Sequence, residues 1–187
     1  FNNTYLTEKT SSAVRKGRAV KIGPRLYSYD IDTSPIKLVE KNLWVIVNEY
    51  FPGAIITGKT ALILGLSNQN NIFIWSEKAK TIKLDGINLI STKPPKNLPD
   101  TEDFIYSLKK VSFSDALDLN LETSPAGSAS KESKTFSEQE LFEFLKKEKL
   151  KEYNQLKKIN DPAIIQKVNN VLNNRWINVD TERIQNY

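Results

Sequence analysis

The sequence predicts an α+β fold: a short basic helix and hairpin, a small mixed β-sheet with helices, and a helical C-terminal part. Three observations carry this. Apolar runs of four to six residues, NIFIW at 71–75, TIKL at 81–84 and INLIST at 87–92, fill the middle of the chain. They are too short and too β-branched to be helices. Helical periodicity with start signals brackets them, over 36–50 and again from Ser137. At 39% hydrophobic and 26% charged over 187 residues, the chain can fill a core and lies outside the disordered range.

The first element is a helix over 7–16, TEKTSSAVRK, ended by Gly17, which suits a left-handed C′ position. RAVKIGPRLYSYD follows. Val20, Ile22, Leu26, Tyr27 and Tyr29 are strand-like, and Gly23-Pro24-Arg25 makes the turn of a hairpin. Ser34-Pro35 opens the next helix, with Pro in the first turn. Leu38, Val39, Leu43, Trp44, Ile46 and Val47 give it one apolar face over 36–50, and Pro52-Gly53 ends it. Ala54-Ile55-Ile56 reads as a buried strand, and 58–66 as a helix capped by Thr57.

Asp85-Gly86 is a hairpin turn between the second and third apolar runs. Pro94-Pro95 to Pro99 is an extended connection, and 102–109 has no clear period. Ser112 to Leu121 is a helix with Ser112 or Ser114 near its start. Residues 122–135 are Ser-rich without an apolar anchor and read as a flexible loop. Ser137 and Glu140 have capping-box spacing, with Phe136 and Leu141 placed as a hydrophobic staple. That helix is expected to reach Ile159, with Leu141, Phe142, Leu145, Tyr153, Leu156 and Ile159 inward. Asp161-Pro162 starts a last helix to about Asn174, and Trp176, Ile177 and Val179 suit a docked strand. The expected units are a basic unit over 1–33, an α/β domain over 34–121, the loop over 122–135 and a helical part over 136–187.

The charge is unevenly placed. Residues 1–27 hold six bases (Lys9, Arg15, Lys16, Arg18, Lys21 and Arg25) and one acid, Glu8, while the remainder holds 21 of each sign. The net +5 therefore sits in one segment, and such a patch on a neutral body attracts a polyanion. Cys and His are absent, which excludes disulfides, a thiol nucleophile, a Ser-His-Asp triad and a structural zinc site within this chain. No apolar run approaches 18 residues and no signal-peptide pattern is visible, so no membrane span is expected. Without Met, and with Phe1 in front, the chain reads as a fragment or a processed product.

A basic helix followed by a hairpin is the pattern of a winged helix, in which the helix enters the major groove and the hairpin meets phosphate or the minor groove. The nucleic-acid candidates are Ser11, Ser12, Arg15, Lys16, Arg18, Lys21 and Arg25. Arg15 and Lys16 stand at the helix end, Arg18 and Lys21 are expected on the first wing strand, and Arg25 at the wing tip. A solvated hairpin packed on its neighbours is the alternative.

A second motif is Gly53, four residues, then Gly58-Lys59-Thr60, a literal phosphate-loop match. Its variable positions, Ala54, Ile55, Ile56 and Thr57, are strand-like rather than small, and Lys59 and Thr60 fit an ordinary helix first turn better. Asp30 with Asp32, and Asp100 with Glu102 and Asp103, lie in turn-rich stretches where acids are solvated, so catalysis is not expected. Trp44, Trp75 and Trp176 lie on apolar faces and read as core. No cofactor or metal is expected.

The order SSAVRKGRAVKIGPRLYSYD, helix, FPGAIITGKTAL resembles the AbiEi-type family of antitoxins and transcriptional regulators. The residues concerned are Gly17, Leu26-Tyr27 and Thr57-Gly58-Lys59-Thr60-Ala61-Leu62, and the similarity extends over 11–121. Arg25 stands where a Gly is common before Leu-Tyr. The resemblance implies a cytoplasmic, non-catalytic bacterial or phage protein that represses its operon by binding DNA and neutralises a cognate toxin protein. A similar arrangement fronts some Fic-domain proteins, whose His-Pro-Phe motif is absent here. The alternative expectation is thus an interaction or regulatory module of a larger toxin or Fic-like protein.

Overall fold

The computed structural model describes residues 7–67, 70–121, 134–150 and 158–172. Helix α1 (Thr7–Arg15) is followed by the hairpin β1 (Val20–Gly23) and β2 (Leu26–Ser28). Helices α2 (Pro35–Lys41) and α3 (Leu43–Tyr50) lead to β3 (Ile55–Ile56) and α4 (Gly58–Ile63). Strands β4 (Asn71–Trp75), β5 (Lys80–Lys83), β6 (Asn88–Thr92), β7 (Thr101–Asp103) and β8 (Lys109–Val111) come next. Helices α5 (Phe113–Leu121), α6 (Glu138–Leu150) and α7 (162–172) complete the described chain. The expected α+β class is the observed one.

Six strands form one mixed sheet in the order β5-β6-β4-β3-β8-β7. Parallel pairs β4–β6 and β3–β8 alternate with antiparallel pairs β5–β6, β3–β4 and β7–β8. Burial follows position in the sheet. All five residues of β4 are buried, so its NIFIW run is continuous rather than alternating. Strand β6 alternates, and the edge strand β5 buries only Ile82. The polar ends of the inner strands are satisfied internally. Asn88 Nδ2 donates to Asn71 Oδ1 at 2.9 Å, and the Ser76 and Ser91 hydroxyls lie 2.7 Å apart.

One hydrophobic cluster runs from Ile22 on the hairpin through Val39, Val47, Ile56, Phe51, Leu89 and Leu117 to Leu145, Ile164 and Leu172. Burying a side chain such as Ile72 or Leu89 contributes about 1.5–3 kcal/mol. Asn120, fully buried, ties the last part to the rest. Its Nδ2 donates to the Ala116 carbonyl at 2.7 Å and its Oδ1 accepts the Phe136 N–H at 3.0 Å.

Several expectations need correction. The helix foreseen over 36–50 is two helices broken at Asn42 (φ −113°, ψ 18°), whose side chain donates to the Leu38 carbonyl at 2.8 Å. An Asn amide that bonds the preceding turn competes with the helix ladder. Thr57 precedes α4 but makes no side-chain cap bond; its backbone is extended and its N–H pairs with the Phe73 carbonyl at 3.1 Å. Helix α4 stops at Ile63 because Leu64 takes a left-handed φ of 48°. The unpatterned 102–109 stretch contributes to the β7–β8 hairpin. Ile159 is buried but not helical, lying just ahead of α7. The expectations for 122–133, Tyr153, Leu156 and Trp176 to Val179 fall outside the described residues.

Candidate nucleic-acid interface

The basic unit begins with the end of α1. The Arg18 N–H donates to the Ala13 carbonyl (2.9 Å), the Gly17 N–H to Val14 (3.0 Å), and Gly17 has φ +66°. These are the two bonds of a Schellman cap, which needs a residue without Cβ strain at Gly17. The cap turns the chain sharply, so Arg18 follows at once on the last-turn pair Arg15 and Lys16. On the helix, Ser11 and Arg15 form one i,i+4 column and Ser12 and Lys16 the next. Ser11, Arg15 and Lys16 are exposed and Ser12 is half-buried, whereas Thr10 is buried.

The hairpin has two unlike faces. Val20, Ile22 and Leu26 turn inward, while Lys21 pairs across with Tyr27 on the outer face, and Lys21 is exposed. The inner face is fixed to the body. The Asp85 N–H donates to the Ile22 carbonyl at 3.0 Å, the Tyr50 hydroxyl donates to the Pro24 carbonyl, and a Cβ on Gly23 would overlap the Leu84 side chain. Burial raises the Tyr50 phenol above its ordinary pKa. The turn is Pro24 then Arg25 with φ 56°, as a type II turn requires at its second central position.

The sequence candidates therefore divide. Ser11, Ser12 and Arg15 share α1, Lys16 and Arg18 follow in the turn that ends it, and Lys21 continues along the outer hairpin face. Arg25 stands apart at the tip. It lines a groove of about 510 Å³ with Tyr50 and Glu49 of α3 and Lys80 and Ile82 of β5. Among the described residues, none of the five cations has an ion-pair partner. Sequence reasoning missed Lys80 as a neighbour of Arg25, because 55 residues separate them and only the fold joins them. It also missed Tyr29 and Ile31, 60% and 55% exposed just beyond the hairpin.

The phosphate-loop match does not form a phosphate loop. Its middle is β3, and its amides are committed: Ala54 N–H to Phe51 (3.1 Å), Thr57 N–H to Phe73 (3.1 Å) and Lys59 N–H to Lys134 (2.8 Å). Gly58 has φ +56°, and a Cβ there would overlap the Lys134 carbonyl oxygen. The space a phosphate needs is thus filled by residue 134. Lys59 is 1% exposed, with its Nζ 3.7 Å from Glu140 Oε2 and 5.9 Å from the Phe73 ring centre. Burial lowers the Lys134 ammonium, whose Nζ donates to Thr92 Oγ1 at 2.9 Å.

The acidic clusters are structural too. Asp30 Oδ1 accepts the Thr33 N–H (3.0 Å) and the Asp32 N–H (3.2 Å), and the bonds from Thr33 lower its carboxyl below the ordinary 3.8. Asp100 is held through its N–H by Asp115, and Glu102 pairs with Lys110. Among the described residues no group of three or more His, Cys, Asp or Glu is placed to hold a metal, and no helix is long and apolar enough to cross a membrane. Trp44 packs edge-on to Phe104 with ring centres 5.2 Å apart, and Trp75 is buried.

Comparison with models of known families, with curated proteins and with solved structures finds no match.

Proposed function

We propose that this chain binds duplex DNA through α1 and the outer face of its hairpin, as a non-catalytic transcriptional regulator or antitoxin acting in the cytoplasm with a cognate toxin protein. One observation carries the proposal. Arg15, Lys16, Arg18 and Lys21 are all exposed, lie within one short helix–turn–strand, and have no ion-pair partner among the described residues, on a chain otherwise balanced in charge. Cations at a helix C-terminus also suit the helix dipole, but that role needs one or two of them. Ser11 and Ser12, one turn earlier on the same helix, supply hydroxyls for phosphate or base edges.

The test is binding of a fluorescent mixed-sequence duplex to the unsubstituted chain and to an Arg15→Glu/Arg18→Glu variant at about 50 mM salt. The proposal expects the variant to bind at least about 100-fold more weakly, since two phosphate contacts become repulsions. A change below threefold would refute it.

Tyr29 and Ile31 favour a second reading, a protein-interaction or regulatory module of a larger toxin or Fic-like protein, because exposed apolar side chains beside a fixed hairpin suit a protein contact. That reading expects Tyr29→Ser/Ile31→Ser to abolish partner binding and the charge reversal to leave it intact.

A further inference from the structure

The edge strand β5 points to a second binding surface, beyond α1 and the outer face of the hairpin. We infer that β5 and the adjoining groove accept an extended protein segment of alternating acidic and apolar residues, which adds to the sheet as a seventh strand.

The hydrogen-bond phase of β5 is fixed by its turn. The Leu84 N–H donates to the Ile87 carbonyl at 2.8 Å, so Leu84 and Ile87 are a hydrogen-bonded pair. In an antiparallel ladder such pairs alternate. Ile82–Leu89 and Lys80–Ser91 are then hydrogen-bonded, while Thr81–Ile90 and Lys83–Asn88 are not. The Asn88 N–H agrees, since it turns away from β5 to the Asn70 carbonyl at 3.0 Å. Thr81 and Lys83 therefore direct their N–H and C=O groups away from β6. Strand β5 ends the sheet, and no described residue takes those groups. They are the template for an added strand.

The surroundings specify the chemistry of that strand. On one side of β5, Lys80 and Ile82 face the 510 Å³ groove, whose other walls are the hairpin tip and α3. Leu26, Ile46 and Ile82 give it an apolar floor, and Arg25 and Lys80 are its two cations, opposed by one acid, Glu49. On the other side, Thr81 and Lys83 are exposed. Neither Lys80 nor Lys83 has an ion-pair partner among the described residues. Lysines on an edge repel a second copy of the same edge. Lys83, on the face away from the groove, attracts the acidic residues of such a strand, while its apolar residues, at a spacing of two, reach the groove floor past the apolar stems of Lys80 and Arg25. Arg25 supports this arrangement: it occupies a left-handed backbone position that Gly fills without strain, yet carries a side chain that lines the groove.

The probe is a fluorescent acetylated heptapeptide alternating Glu and Val, read by anisotropy, with residue-resolved amide exchange on the unsubstituted chain. The expected result is saturable binding that slows exchange at Thr81 and Lys83 by roughly tenfold or more. A Lys-Val heptapeptide should bind at least roughly tenfold more weakly, and Lys80→Glu/Lys83→Glu and Thr81→Pro should each weaken the Glu-Val peptide by a similar factor. Should Thr81→Pro not fold, the exchange data and the charge variant decide. Three results would each overturn the inference: no binding, binding that leaves the two amides unprotected, or equal affinity for the two peptides. So would protection of both amides that grows with protein concentration alone, which would assign the edge to a second copy of this chain.

Discussion

Lys59 and Glu140 supply the sharpest test of how the core is arranged. Lys59 is 1% exposed and its counter-charge, Glu140, is 23% exposed at 3.7 Å. Glu140 Oε2 also accepts the Ser137 N–H at 2.9 Å, closing the capping box of α6. Glu140→Gln keeps an oxygen for that cap, since Gln serves at this position, and removes only the charge. Removing one partner of a buried pair costs about 3–5 kcal/mol because the other charge is left buried alone. Water reaches Glu140, and the Phe73 ring returns about 0.5–1 kcal/mol to the ammonium, so the expected loss is about 2–3 kcal/mol. Lys59→Met keeps the length and apolar stem and should change stability by about 1 kcal/mol or less. With Met at 59, Glu140→Gln should then cost under about 0.5 kcal/mol, a coupling near 2 kcal/mol. Urea unfolding followed by tryptophan fluorescence measures all four proteins, and unchanged m-values show that only stability moved. The double-mutant cycle cancels whatever else Glu140 touches. A Glu140→Gln loss below about 1 kcal/mol, or equal losses in both backgrounds, would refute the reasoning.

Two further predictions concern the glycines and the buried amide. Gly17→Ala meets nothing within 4 Å and carries only left-handed strain, so it should cost about 1 kcal/mol, whereas Gly58→Ala also drives a Cβ into the Lys134 carbonyl and should cost at least about 2 kcal/mol by thermal or urea unfolding. Asn120→Ala strands the buried Phe136 N–H and should cost about 2–3 kcal/mol, with faster amide exchange at Phe136 than at Leu117; equal exchange at the two sites would contradict the latch.

Local signals in the sequence were reliable where local chemistry decides structure. The NIFIW strand, the Asp85-Gly86 turn (Gly86 φ +75°), the Gly17 stop, the Ser112 cap on the Asp115 N–H and the reciprocal Ser137–Glu140 box are each written within a few residues. Asn42 could have been read as a break, but the apolar face on both sides outweighed one amide. The β7 and β8 strands have three residues each and no alternation to reveal them. The cations of the candidate interface were visible because four of the five lie between residues 15 and 21. The groove joining Arg25 to Lys80, and the burial of Lys59 against a carboxylate 81 positions later, depend on the assembled sheet and have no local signature.

The central claim is that the cations around the α1–β1 junction meet phosphate. Its most direct measurement is the salt dependence of duplex DNA binding. With Arg15, Lys16, Arg18 and Lys21 each neutralising one phosphate, log K against log salt should fall with a slope near −3.6, and near −1.8 when Arg15 and Arg18 are replaced by Ala. A slope near zero in the unsubstituted chain, or one that the two replacements leave unchanged, would contradict it.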